Sequence, residues 1–232
     1  MSSDLPRPEG VIFDLDGTLV DTVQQRIDGW VEALGAAGIS TSAAEIGPMI
    51  GMDGKRLARE LAGRAGRTLS EDETEAIDHA AGEAFDRRNR EPVALPGLAD
   101  ALAAIAMSGA RWVIATSSRA AQVRGSVAAL ALEDEPEIVD GGHVQHAKPA
   151  PDLLLLAARR MGVAPERCWA VGDSTWDARA AVAAGMTAIC VTAGSAVSVG
   201  DLLAAGAAVV VPTLAELARL VEEESAATSE AG

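Results

Sequence analysis

Tyrosine is absent from this sequence, and only two phenylalanines accompany its four tryptophans. A core so poor in aromatic rings has to be filled by Ala, Val, Leu and Ile. With 49% hydrophobic residues in a chain of 232, there are enough of them for a globular fold with a sizeable interior. Cysteine is nearly absent as well. Cys168 and Cys190 stand far apart in strand-like apolar runs with no CxxC pair, and read as reduced core residues of a cytoplasmic protein. Positive charge is scarce: 19 Lys and Arg against 34 Asp and Glu leave a formal net charge of -15. That balance repels nucleic-acid phosphates and anionic lipid, so neither nucleic acid nor a membrane surface is an expected partner. An anionic substrate would have to be met by a few well-placed cations. Long apolar runs are also missing. The stretch Ala204 to Val211 is too short to span a bilayer, and Met1 to Gly10 carries prolines and acids where a signal peptide would be apolar.

Short runs rich in β-branched residues are spaced between longer helical patterns. Val11–Phe13, Trp112–Ile114, Trp169–Val171, Ile189–Val191 and Val209–Val211 read as buried strands. Helical stretches such as Ser118 to Leu130 and Thr175 to Ala184 follow them. The alternation predicts a doubly wound parallel α/β sheet, whose ligands bind beyond the carboxyl ends of the strands. Residues 23–93 break the alternation, holding helical segments and no convincing strand. Ser70 to Glu73 has the pattern of a capping box, and Lys55 to Leu61 fits another helix. The expected organisation is a discontinuous core, 1–22 with 94–232, and an inserted helical domain, 23–93. The Ser-, Ala- and Glu-rich tail from Glu222 onward is expected to fray.

Polar residues gather where the strands end. The first strand runs into Asp14-Leu15-Asp16-Gly17-Thr18. Carboxylates at alternate positions point to one side of an extended chain, and Gly17 permits a sharp turn after them. Two like charges held together suggest a cation between them. The second strand ends in Thr116-Ser117-Ser118, whose hydroxyls and amides suit phosphate oxygens, although Ser118 also reads as a helix N-cap. Lys148 stands in a proline-stiffened loop, and a later strand ends in Gly172-Asp173-Ser174 with Asp177 beyond it. Together these residues make a coherent site for a phosphate and a divalent metal.

In these motifs the sequence resembles the haloacid dehalogenase-like hydrolase superfamily. The subgroup is the one with a helical cap between the first two motifs, typified by phosphoglycolate phosphatases and β-phosphoglucomutases. The resemblance covers nearly the whole chain: Asp14 to Leu19 match the first motif, Thr116 the second, Lys148 the third and Gly172 to Asp177 the fourth. It implies a five-stranded parallel core and a magnesium-dependent phosphatase acting on a small phosphorylated molecule. Asp14 would be the nucleophile that becomes an aspartyl-phosphate, and Asp16 the acid and base. Asp14, the Asp16 backbone carbonyl and Asp173 would hold Mg²⁺. Lys148 would neutralise charge and Thr116 hold a phosphoryl oxygen, with Gly17, Ser117, Ser174 and Asp177 in support. For Ser174, helix capping is an equal explanation.

Asp16 and Asp173 argue against a 2-haloacid dehalogenase, and the surroundings of Lys55 do not resemble those of a phosphonatase Schiff-base lysine. A sugar phosphomutase is the nearer rival, but such mutases usually carry Val where Thr18 stands, and a His where Gln24-Gln25-Arg26 lie. A non-catalytic binding or regulatory protein would not need every motif residue. Specificity is expected from the inserted helices. There Lys55 and Arg56, after the turn at Ile50 to Gly54, are candidates to bind a second anionic group, with Arg26 next in line. His143, His146, His79 and the tryptophans read as solvated or packing residues.

Overall fold

The computed structural model describes residues 5–118 and 120–230, and the side chains of these outside 120–122 and 227–230. Six parallel strands form one sheet: β1 (Gly10–Phe13), β2 (Arg111–Thr116), β3 (Ile138–Asp140), β4 (Cys168–Gly172), β5 (Thr187–Val191) and β6 (Val209–Val211). Their order is β3-β2-β1-β4-β5-β6, with β1 paired in parallel to both β2 and β4. The five expected strands are all present. The sixth, β3, is a three-residue edge strand set in the acidic stretch Glu133 to Asp140, where only Ile138 and Val139 carry a strand signal.

Ten helices accompany the sheet among the described residues. Four lie between β1 and β2: α1 (Val23–Ala36), α2 (Ala43–Ile46), α3 (Gly54–Arg64) and α4 (Glu71–Arg88). The others are α5 (Leu98–Ser108), α6 (Ala120–Ala128), α7 (Asp152–Met161), α8 (Thr175–Ala183), α9 (Val199–Ala204) and α10 (Leu214–Glu230). Alternating strand residues divide between two cores. Val11, Phe13, Ile114, Trp169 and Val171 pack on one face with α5 and α10, whereas Ile12, Val113, Cys168 and Ala170 pack on the other with α7 and α8. Both cysteines are free and buried, and burial raises both thiols, Cys168 to about 11.

The segment between β1 and β2 has an apolar cluster of its own, built from Ile27, Trp30, Leu34, Leu57, Leu61 and Ile77 among others. Ser70 and Glu73 complete the capping box that opens α4, and Asp53 caps α3 by accepting from the Arg56 amide. The chain leaves and re-enters the sheet side by side, since Val20 bridges Ala94 and the Leu95 amide donates to the Leu19 carbonyl. One residue of the larger layers joins the helical cluster: Trp176 of α8, whose indole N–H donates to the Pro48 carbonyl at 3.3 Å.

Helix α10 runs through Glu230, with Glu224 buried and the Ser225 hydroxyl donating to the Val221 carbonyl. Residues 231 and 232 lie outside the described residues. No described helix is long and apolar enough to cross a membrane.

Candidate active site

The order of strand addition reverses between β1 and β4: from β1 the chain builds outward to β2 and β3 on one side, then crosses to β4, β5 and β6 on the other. Such a switch point leaves a crevice at the strand carboxyl ends. Asp14, Thr116, Asp173 and Asp177 meet there because β1, β2 and β4 are level in register, with Phe13 opposite both Ile114 and Val171. Above them opens a cleft of about 380 Å³, roofed by α1, α4 and the loop Met49 to Gly54.

Lys148, one of two lysines in the sequence, is buried between two carboxylates. Its ammonium donates to Asp14 Oδ1 at 2.5 Å and to Asp177 Oδ1 at 2.6 Å. Burial alone would lower the Lys148 pKa, but Asp14 and Asp177 reverse that and keep it protonated. Asp177 has a second duty. Its Oδ2 accepts from the Ser174 amide and hydroxyl, while Ser174 caps α8 by accepting from the Asp177 amide. Ser174 thus caps α8, while Asp177 contacts both that cap and the Lys148 ammonium.

Carboxylate oxygens of Asp14, Asp173 and Asp177 lie within 4.8 Å of one another, and all three residues are buried. Burial, opposed by Lys148 and reinforced by Asp177, pushes the Asp14 carboxyl up to about 7. Burial followed by the charges of Asp177 and Asp14 raises Asp173 well above the usual range. Three buried carboxylates against one ammonium leave negative charge uncompensated, and the donors are all hard oxygens. This set fits a divalent cation of the magnesium kind. Thr18 holds Asp173 in place by donating to its Oδ1 at 3.0 Å. Between them sits Gly17, at φ +85°, where a Cβ would stand 2.6 Å from Asp173 Oδ2; only glycine fits that approach.

Asp16 points into the same cleft but keeps different company. Its Oδ2 accepts from Arg26 Nη2 at 2.5 Å and from the Ser118 hydroxyl at 2.8 Å, and its Oδ1 accepts from the Thr22 hydroxyl at 3.0 Å. Burial works to raise this carboxyl, yet Arg26, Ser118 and Thr22 hold it below the ordinary range. Thr116 is buried and accepts from the Ser118 amide, whereas the Ser117 hydroxyl is buried without a partner at the edge of the cleft. An orphaned donor here suits a phosphoryl oxygen.

The helical candidates separate. Arg26 lines the cleft, but Lys55 and Arg56 are not among its lining residues. Lys55 pairs with Glu75 at 2.7 Å and Glu71 at 3.5 Å, and Arg56 lies over the Trp176 ring, 5.5 Å from its centre. His143 and His146 pair with Asp140 and Asp152 in their loops, away from the carboxylate cluster. Thr22, Phe85 and the tie between Ser118 and Asp16 were not singled out from sequence. The spacing of Thr22 and Arg26 from Asp16 was the available signal, one helical turn apart at the start of α1.

A family model described as haloacid dehalogenase-like hydrolase matches residues 8–185. The chain is 33% identical over 193 residues to the fructose-1-phosphate phosphatase of Escherichia coli K12, covering 79% of this chain and 96% of that protein. It is 33% identical over 205 residues to the phosphoglycolate phosphatase of the same strain, covering 80% and 81%. Among solved structures, a hydrolase from Pseudomonas syringae superposes with a TM-score of 0.86 at 32% identity, covering 92% of this chain and 98% of that one.

Proposed function

From the premise that this chain belongs to the haloacid dehalogenase-like hydrolases, we propose that it is a magnesium-dependent phosphatase of small phosphomonoesters working through an aspartyl-phosphate on Asp14. The observation that carries the reading is Lys148 clamped between Asp14 and Asp177, with Asp173 completing a buried, over-negative carboxylate cluster. The phosphatase names of the similar proteins support the same reaction class. Residues 1–22 and 94–232 then act as the catalytic core and 23–93 as a cap over it.

A carboxylate needs no base to become a nucleophile. Asp14 attacks phosphorus, the bond to the leaving oxygen breaks, and that oxygen takes a proton from Asp16. Water then attacks the same phosphorus and gives its proton to Asp16, the bond to Asp14 breaks, and phosphate leaves with Asp14 restored. Lys148 offsets the charge of an anion attacking an anion, and Thr116 and Ser117 offer hydroxyls to the phosphoryl oxygens. Magnesium, held by Asp14 and Asp173 with Asp177 beside them, would supply the remaining positive charge. Asp16, gripped by donors from Arg26, Ser118, Thr22 and Ser126, is held in the ionised form that suits the second step, where it takes a proton from water. The first step requires Oδ2 or Oδ1 to be released from them.

Hydrolysis of p-nitrophenyl phosphate by the purified protein tests the reading. Turnover that EDTA abolishes and magnesium restores is expected. Absence of any phosphomonoester hydrolysis with magnesium present, or undiminished turnover after chelation, contradicts it.

A further inference from the structure

Three parts of the chain converge on one oxygen. Asp16 comes from the loop after β1, Ser118 from the loop after β2, and Arg26 from α1. Arg26 Nη2 lies 2.5 Å from Asp16 Oδ2 and 2.6 Å from Ser118 Oγ, and the Ser118 hydroxyl donates in turn to the same Oδ2 at 2.8 Å. The three groups close a ring. The guanidinium is itself fixed from behind, since it stacks on the buried Phe85 ring of α4, 4.0 Å from its centre. Both partners are largely buried, with side-chain exposures of 17% for Arg26 and 10% for Asp16. A buried ion pair is poor evidence of a stabilising role, because desolvation offsets most of the attraction. Its position beside the reacting groups points elsewhere.

We propose that Arg26 is a positioning residue for Asp16, holding its carboxylate in the orientation that accepts the proton of the attacking water, and so serves the breakdown of the phospho-enzyme. This reassigns Arg26 from binding the substrate to orienting the acid/base, and it rests on the proposed phosphatase mechanism. The logic is geometric. A carboxylate with Oδ2 held by two donors, and Oδ1 by Thr22 and more loosely by Ser126 at 3.4 Å, cannot rotate freely, so the direction from which it can receive a proton is fixed. Because Arg26 rides on α1 and leans on α4, that aim depends on the helical segment lying over the cleft as it does here. Formation of the phospho-enzyme from an activated aryl ester makes little demand on Asp16, whereas its hydrolysis always needs a base.

Pre-steady-state kinetics with p-nitrophenyl phosphate separate the two steps. In Arg26→Ala, release of the first equivalent of nitrophenolate should stay within about threefold of the parent rate. Later turnovers should slow about 10- to 100-fold, as expected for loss of a charge-assisted hydrogen bond. The result is a burst of one product per enzyme and a phosphorylated protein detectable by mass spectrometry after acid quench. Arg26→Lys should recover part of the second rate, since an ammonium can donate to Oδ2 but lacks the planar fork and ring stacking. Ser118→Ala should show a weaker form of the same burst. Equal slowing of both steps in Arg26→Ala, with no recovery in Arg26→Lys, overturns the proposal and leaves the residue a structural tie. Steady-state turnover unchanged in Arg26→Ala overturns it as well. Asp16→Asn distinguishes the two levels. A burst in Asp16→Asn without one in any Arg26 or Ser118 variant sinks only this inference. No phospho-enzyme in any variant or the parent sinks the mechanism beneath it.

Discussion

The Lys148 ammonium stands 2.5 Å from the Asp14 carboxylate, in a site so closed that the lysine is only 3% exposed. An ammonium there makes an over-negative cluster tolerable, and in the proposed mechanism it also meets the charge of an incoming phosphoryl group. Lys148→Met should lower kcat by about 10²- to 10³-fold, the scale of losing one preorganised charge donor. It should also lower Tm, and more at pH 8 than at pH 5.5, because Asp14 and its neighbours can relieve their repulsion only by taking up protons. A kcat within tenfold of the parent, or a Tm loss independent of pH, would contradict this.

The raised carboxyls give the metal-free protein a definite pH dependence. Asp14 titrates near 7 when folded against an ordinary value of 3.8, and Asp173 is raised in the same sense. Between those values the folded state binds more protons than the unfolded one, so these two groups contribute stability at low pH that disappears as pH rises through about 7. A divalent cation needs the same carboxylates ionised, so its stabilising effect runs the other way. The difference in Tm with and without magnesium should therefore grow from pH 5 to pH 8. Thermal melts in EDTA and in excess magnesium measure it, and a difference that is flat or shrinks with pH would count against the metal site.

Lys55 provides a test on the cap. Sequence alone made it a candidate for an anionic group on the substrate, but it does not line the cleft and is paired with Glu71 and with Glu75, a residue of the cleft rim. Partly exposed pairs of this kind contribute little energy. Lys55→Ala should keep kcat/KM within about twofold of the parent for both phosphoglycolate and p-nitrophenyl phosphate. A large loss confined to phosphoglycolate would return Lys55 to the substrate.

What was legible in the sequence follows from range. Strands β1, β2, β4, β5 and β6 announce themselves because each is a compact apolar run covered on both faces; β3 does not, having only Ile138 and Val139 at a sheet edge. Helix α10 packs on α5 through Leu214, Leu217, Ala218 and Val221, a long-range pairing that no local pattern encodes. At the site, residues that end strands could be placed together from the parallel topology alone. The partners of Asp16 could not. Ser118 lies 102 positions away and had a sufficient local explanation as a helix cap, and Arg26 needed the path of α1 over the cleft to be known. Thr18 counted only as a mark against a mutase, whereas its hydroxyl is a hydrogen-bond donor to Asp173.

The most direct measurement is on Asp14 itself. The carboxylate held by the Lys148 ammonium is the proposed nucleophile, and Asp14→Asn removes its charge while keeping its shape. The parent enzyme, quenched in acid during turnover of a phosphomonoester, should carry one phosphoryl group on the peptide containing Asp14. Asp14→Asn should carry none and retain less than about a thousandth of the parent kcat. A variant with activity within tenfold of the parent, or a phosphoryl group found on any other residue, would contradict nucleophilic catalysis by Asp14.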